Sequence, residues 1–123
     1  IRVHDPYVEH WWEFEQQDDY PATGQSKARF FRNQEKLKEM HINPNLDSAL
    51  KDADAVIFAV RHEAYMNLNP EEVVRKIGKP AAIIDCFGIL TDDNIRRYIQ
   101  LGCEVKGLGR GHIQRIKDEI RKA

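Results

Sequence analysis

The segment Gly107-Leu108-Gly109-Arg110-Gly111-His112 joins an apolar run to a stretch patterned as a helix. Flexible backbone, a guanidinium and the unpaired N–H groups of a helix start together suit a phosphate or another anion. Arg110 can hold two phosphate or carbonyl oxygens at once, and the backbone of Gly109 and Gly111 lies beside it. The same residues serve equally well as a tight strand-to-helix turn. The segment lacks the Lys-Ser/Thr of a phosphate-binding Walker loop, and its glycines do not fit the dinucleotide fingerprint Gly-x-Gly-x-x-Gly. Asp85 ends another apolar run, just before Cys86-Phe87-Gly88. A carboxylate there either caps a turn or holds a ligand hydroxyl. Cys86 invites a nucleophile reading, but no evident base or oxyanion donor accompanies it, so no catalytic residue is assigned. His62 and Glu63 follow Arg61 after a third run and suit acid-base work, ligand binding or the bonding of loops. Asp5 and Tyr7 stand in the corresponding place after the opening run Ile1-Arg2-Val3-His4. His4, His10, His41, His62 and His112 form no ligand-spaced set with Cys86 and Cys103, so no metal site is expected.

The elements that must position these residues follow from the runs themselves. Ala55 to Val60, Ala81 to Ile84 and Cys103 to Leu108 have the length of strands buried on both faces. Helical patterning lies between them. Proline and acids open Pro70–Gly78, Thr91 caps Asp92–Leu101, and Gly102 ends that helix as a left-handed residue. Asn45 or Asp47 caps a short helix through Ala53 with Leu46, Ala49 and Leu50 inward, and His112–Arg121 carries Ile113, Ile116 and Ile120 on one stripe. Strands alternating with helices predict an α/β domain with a parallel sheet, whose ligands sit beyond the carboxyl ends of the strands. Asp5, Tyr7, His62, Asp85, Gly109, Arg110 and Gly111 are therefore expected along one edge. Between the first two strands, residues from about 9 to 40 form an insertion. It holds Trp11, Trp12 and a helix from Ser26 to about Met40, and the tryptophans suit an interface better than a ligand site.

With 123 residues the chain has room for one domain, 1–123. A net charge of −1 offers no basic face of the strength that nucleic-acid binding needs. No apolar stretch is long enough to span a bilayer and no secretory signal is present, so no membrane association is expected and the cytoplasm is the expected location. Cys86 and Cys103 are expected as free thiols in buried strands. Ile1 is no initiator methionine and the first strand begins in mid-course, which predicts a piece of something longer.

In order along the chain, Val3-His4-Asp5-Pro6-Tyr7-Val8, Leu46 to Leu50 with Asp52 to Ile57, His62-Glu63-Ala64-Tyr65, Ile83-Ile84-Asp85 with Gly88-Ile89-Leu90, and Gly107 to Gly111 resemble the C-terminal, nucleotide-binding domain of the UDP-glucose/GDP-mannose dehydrogenase family. The opening and the Gly-Arg-Gly ending look most like the branch acting on UDP-N-acetylhexosamines. The resemblance implies a Rossmann-like three-layer sandwich with a mostly parallel sheet, lacking the first strand and helix of the family domain. It further implies a part in the NAD-dependent oxidation of the C6 alcohol of a nucleotide sugar to a carboxylate. The UDP-sugar would be held here, with Arg110 first among its contacts. NAD and the nucleophilic cysteine would belong to an N-terminal domain, which leaves the isolated chain inactive. The parent enzyme would be a homo-oligomer in polysaccharide biosynthesis. The alternatives are a free-standing α/β module that senses a nucleotide or docks a protein, and a small complete enzyme built on His62 and Cys86.

Overall fold

The computed structural model describes residues 1–8, 42–109 and 111–123. The expected helix from Ser26, the Trp11-Trp12 pair and Arg110 lie outside the described residues. The chain divides into two compact units, Ile1–Ala49 and Leu50–Ala123.

In the first unit β1 (Val3–His4) pairs in parallel with β2 (Ile42–Asn43). Sequence reasoning missed β2, because two residues are too few to show a period. Helix α1 (Leu46–Leu50) follows, and Asn45 is the capping residue, with its Oδ1 accepting the Ser48 N–H at 3.1 Å. The helix stops at Leu50, short of the expected Ala53. Asp52 has φ 58, outside helical geometry, and its N–H bonds the Ile77 carbonyl at 3.0 Å instead.

The second unit is built on a three-stranded parallel sheet of order β3-β4-β5, with β3 (Ala55–Phe58), β4 (Ala82–Asp85) and β5 (Glu104–Gly107). The crossovers carry α2 (Glu63–Met66) and α3 (Pro70–Ile77), then α4 (Asp92–Gln100), and α5 (His112–Lys122) follows β5. Parallel neighbours need such crossovers, and two right-handed ones in the same direction along a sheet put their helices on the same face. The register makes that face explicit. Phe58, Ile83, Asp85 and Val105 lie on it and are buried, against Val73 and Ile77 of α3, Ile95 and Tyr98 of α4, and Ile113 and Ile116 of α5 in the same core. Ala55, Ile57, Ala82, Ile84, Glu104 and Lys106 alternate onto the other face and are exposed or half-buried. Ile57, 60% exposed, corrects the expectation that 55–60 is buried on both faces. An uncharged run reads the same whether one face or two are covered.

The expected punctuation is present. Thr91 Oγ1 accepts the Asn94 N–H at 3.1 Å, while Gly78 and Gly102 close their helices at φ 92 and φ 89. Asn69 caps α3 through two N–H groups, those of Glu71 at 2.9 Å and Glu72 at 3.3 Å. Ion pairs tie the elements from outside: Arg97 to Glu71, Arg96 to Glu119 at 2.7 Å, Lys117 to Glu104 at 2.7 Å and Lys79 to Asp54 at 2.6 Å. Hydrogen bonds from Lys79, Arg97 and Lys117 hold the carboxyls of Asp54, Glu71 and Glu104 below the usual carboxylate range.

Tyr98 is the anomaly of this core. Its ring is fully buried, and its hydroxyl has no hydrogen-bond partner among the described residues. Burial pushes the phenol well above its ordinary pKa, with the nearby Cys103 and Glu71 adding to the effect. Since a buried, unpaired hydroxyl carries a desolvation cost, Tyr98→Phe is expected to leave stability unchanged or raise it by up to about 1 kcal/mol. Urea unfolding of the two proteins measures this, and a loss of more than about 1 kcal/mol would reveal a partner for the hydroxyl.

Candidate functional site

Three loops leave the carboxyl ends of β3, β4 and β5 side by side. The ladder runs on past the strand ends: the Cys86 N–H donates to the Phe58 carbonyl at 3.0 Å, and the Leu108 N–H to the Asp85 carbonyl at 3.1 Å. The first loop holds His62. Its Nδ1 accepts the Ala64 N–H at 3.1 Å, making it the N-cap of α2, and its ring meets Tyr65 edge-on at 5.6 Å. This bond requires an unprotonated Nδ1, which places the proton of the neutral ring on Nε2. Sequence reasoning missed α2, because histidine is not among the usual capping residues and four residues show no period.

The second loop is organised by Asp85. Its side chain is fully buried and accepts three backbone N–H groups: those of Phe87 at 3.1 Å and Ile89 at 3.1 Å on Oδ1, and that of Leu90 at 3.0 Å on Oδ2. Both oxygens serve the turn, which is the structural alternative raised by the sequence. Ile89 and Leu90 are drawn into the core, while Phe87 stays 56% exposed. Cys86 is half-buried and Cys103 buried, both as free thiols.

The third loop turns through Gly109 at φ 67, a left-handed value that strains any side chain, although a Cβ there would meet nothing within 4 Å. Gly111 then opens α5 without a side-chain cap, and no acid stands in the first turn. His112 Nε2 lies 3.0 Å from Asp92 Oδ1, which ties the start of α5 to the start of α4. The uncapped N–H groups and the positive end of the helix dipole at α5 favour an anion.

His62, Asp85, Gly109 and Gly111 are thus brought to one edge, with Arg110 between the two glycines in sequence. Asp5 and Tyr7 belong to the first unit. Asp5 Oδ1 accepts the N–H groups of Tyr7 at 2.8 Å and Val8 at 3.0 Å, a side-chain turn that leaves Tyr7 81% exposed. No group of three His, Cys, Asp or Glu among the described residues is arranged to hold a metal ion. No helix among them is long and apolar enough to cross a membrane.

Residues 1–92 match the UDP-glucose/GDP-mannose dehydrogenase family, UDP binding domain. This chain belongs to that family. The matched part covers the Asp5 turn, the His62 loop and the whole Asp85 turn, and it ends at the start of α4. Among solved structures, the crystal structure of NDP-N-acetyl-D-galactosaminuronic acid dehydrogenase from Methanosarcina mazei Go1 is similar, with a TM-score of 0.60 and 27% sequence identity. That similarity covers 93% of this chain and 18% of the other. No curated protein matches. The family and the Rossmann-like α/β fold expected from the ordered segments are both borne out.

Proposed function

We propose that this chain is the part of an NAD-dependent nucleotide-sugar 6-dehydrogenase that grips the UDP moiety of the substrate. The observation that carries the reading is the match of residues 1–92 to a UDP binding domain, joined to an edge where an uncapped helix start follows Gly109-Arg110-Gly111. In this reading the diphosphate lies against the start of α5, where N–H groups and the helix dipole receive negative charge, and Arg110 adds a charge-assisted contact. Asp85 holds the neighbouring loop in shape through its three N–H bonds and remains a lower-ranked proposed contact at the same edge. On the sequence reading, Asp5, Tyr7 and His62 are proposed as further contacts with the nucleotide.

The chain's work is positioning. Binding energy from the nucleotide, remote from the reacting carbon, aligns a sugar whose C6 is oxidised elsewhere. The residues here do not fit NAD: the glycines at 107, 109 and 111 alternate where a dinucleotide turn needs Gly-x-Gly-x-x-Gly. NAD and the catalytic cysteine are assigned to the rest of the parent enzyme, of which the Methanosarcina dehydrogenase offers the scale, since the chain spans 18% of it. A substrate in the UDP-N-acetylhexosamine class is favoured by the likeness to that same enzyme, an N-acetyl-D-galactosaminuronic acid dehydrogenase.

Arg110→Ala is expected to weaken UDP binding by about 1–3 kcal/mol, roughly 5- to 150-fold, the range of a hydrogen bond to a charged group. Calorimetric titration of both proteins with UDP measures it. Equal affinity in a folded variant would remove Arg110 from the site.

A further inference from the structure

Phe87 is the feature of this edge that neither the turn nor the diphosphate reading explains. The large apolar side chains exposed among the described residues of the second unit are Ile57, Val60, Met66, Phe87 and Leu108. All but Ile57 lie beyond the carboxyl end of a strand. Val60 is 46%, Phe87 56% and Leu108 71% exposed, one from each of the three adjacent loops. Scattered exposed apolar residues need no explanation, but one on each of three adjacent loops at the end of a sheet where α/β domains bind ligands does.

Phe87 is also held in place. Its N–H is bonded to Asp85 Oδ1, and Cys86 on one side continues the ladder onto Phe58. Gly88 on the other side takes φ 65, and Ile89 and Leu90 beyond it are anchored by the same buried carboxylate. A buried carboxyl group that accepts three backbone N–H bonds thus fixes a loop whose aromatic residue is exposed. An aromatic side chain on a backbone held in this way has only two torsions to order when it offers its flat apolar face to a ligand.

We propose that Phe87 is the platform on which the base of the nucleotide packs, with Leu108 completing the apolar lip. This rests on the reading that the chain binds UDP. The uracil is the planar, uncharged part of that ligand, and the apolar lip is the region of the edge that suits it. The diphosphate is then directed to the next strand end, where Gly109 and Gly111 precede α5, about one strand spacing of roughly 5 Å away. Stacking recognises a π face and not a hydrogen-bond pattern, so Phe87 contributes affinity for the base without selecting uracil over cytosine.

Calorimetric titration of the full chain with UDP, CDP and pyrophosphate, repeated on Phe87→Ala and Phe87→Tyr, tests the assignment. Phe87→Ala is expected to lose about ten-fold in affinity for UDP and for CDP while its affinity for pyrophosphate stays unchanged, and Phe87→Tyr is expected to keep the wild-type values. Equal UDP affinity in folded Phe87→Ala would overturn the platform and leave the UDP reading standing. So would UDP binding no tighter than pyrophosphate in the wild type combined with Arg110-dependent binding of both. Absence of any UDP binding by the wild type would overturn the UDP reading, and the platform with it.

Discussion

Asp85→Ala is expected to lower the stability of the second unit by about 3–5 kcal/mol. The alanine removes the acceptor of three backbone N–H groups at one stroke, and two of those groups belong to Ile89 and Leu90, which are buried. Each buried donor left without a partner costs about 1–3 kcal/mol, and the loop can recover water only by lifting Ile89 and Leu90 out of the core. The alanine also leaves a void next to β4. Urea unfolding should show a lower midpoint with an unchanged slope, the sign of lost stability without a change in compactness. Asp85→Asn keeps one oxygen and turns an N–H toward a donor, so it should fall between the two. A loss below about 1 kcal/mol for the alanine variant would mean that the turn is held by something other than this carboxylate. Because the same turn carries Phe87, a folded Asp85→Ala protein should also bind UDP less tightly.

Ile95→Ala is expected to cost about 2–5 kcal/mol, the range for removing an isoleucine from a site that cannot collapse. Ile95 is fully buried on α4, the helix that packs against α3, α5 and β5. A cavity there is bounded on several sides by elements that ion pairs and the sheet hold in place, so little relaxation is available. Ile120, at the outer end of the stripe on α5, is only half-buried, and its alanine variant provides the control with a clearly smaller loss. Equal effects at the two positions would contradict the placement of the core on the inner face of α4.

Much of this architecture is legible in the chain because local rules and packing agree. Thr91, Gly78 and Gly102 sit where capping chemistry needs them, and the α5 stripe of Ile113 and Ile116 is buried as its spacing implies. What cannot be read has physical causes. β2 and α2 are too short for periodicity, and α2 depends on a histidine cap. The run 55–60 carries no mark of which face is covered. Asp85 is ambiguous in the sequence because a turn and a ligand ask for the same carboxylate in the same place, and only burial with three N–H partners decides how its oxygens are used. Phe87 does not stand out within Cys86-Phe87-Gly88, though an aromatic directly after a turn-capping aspartate at a strand end is the available signal.

The central claim is that this chain holds the UDP half of a nucleotide sugar. Calorimetric titration of the purified chain with UDP, using GDP and NAD+ as comparators, tests it most directly. Saturable binding of UDP, with no measurable binding of NAD+, is the result expected of a domain that grips the nucleotide and leaves the hydride chemistry to its parent enzyme. Binding of NAD+ in preference to UDP, or no binding of UDP at all, would contradict it.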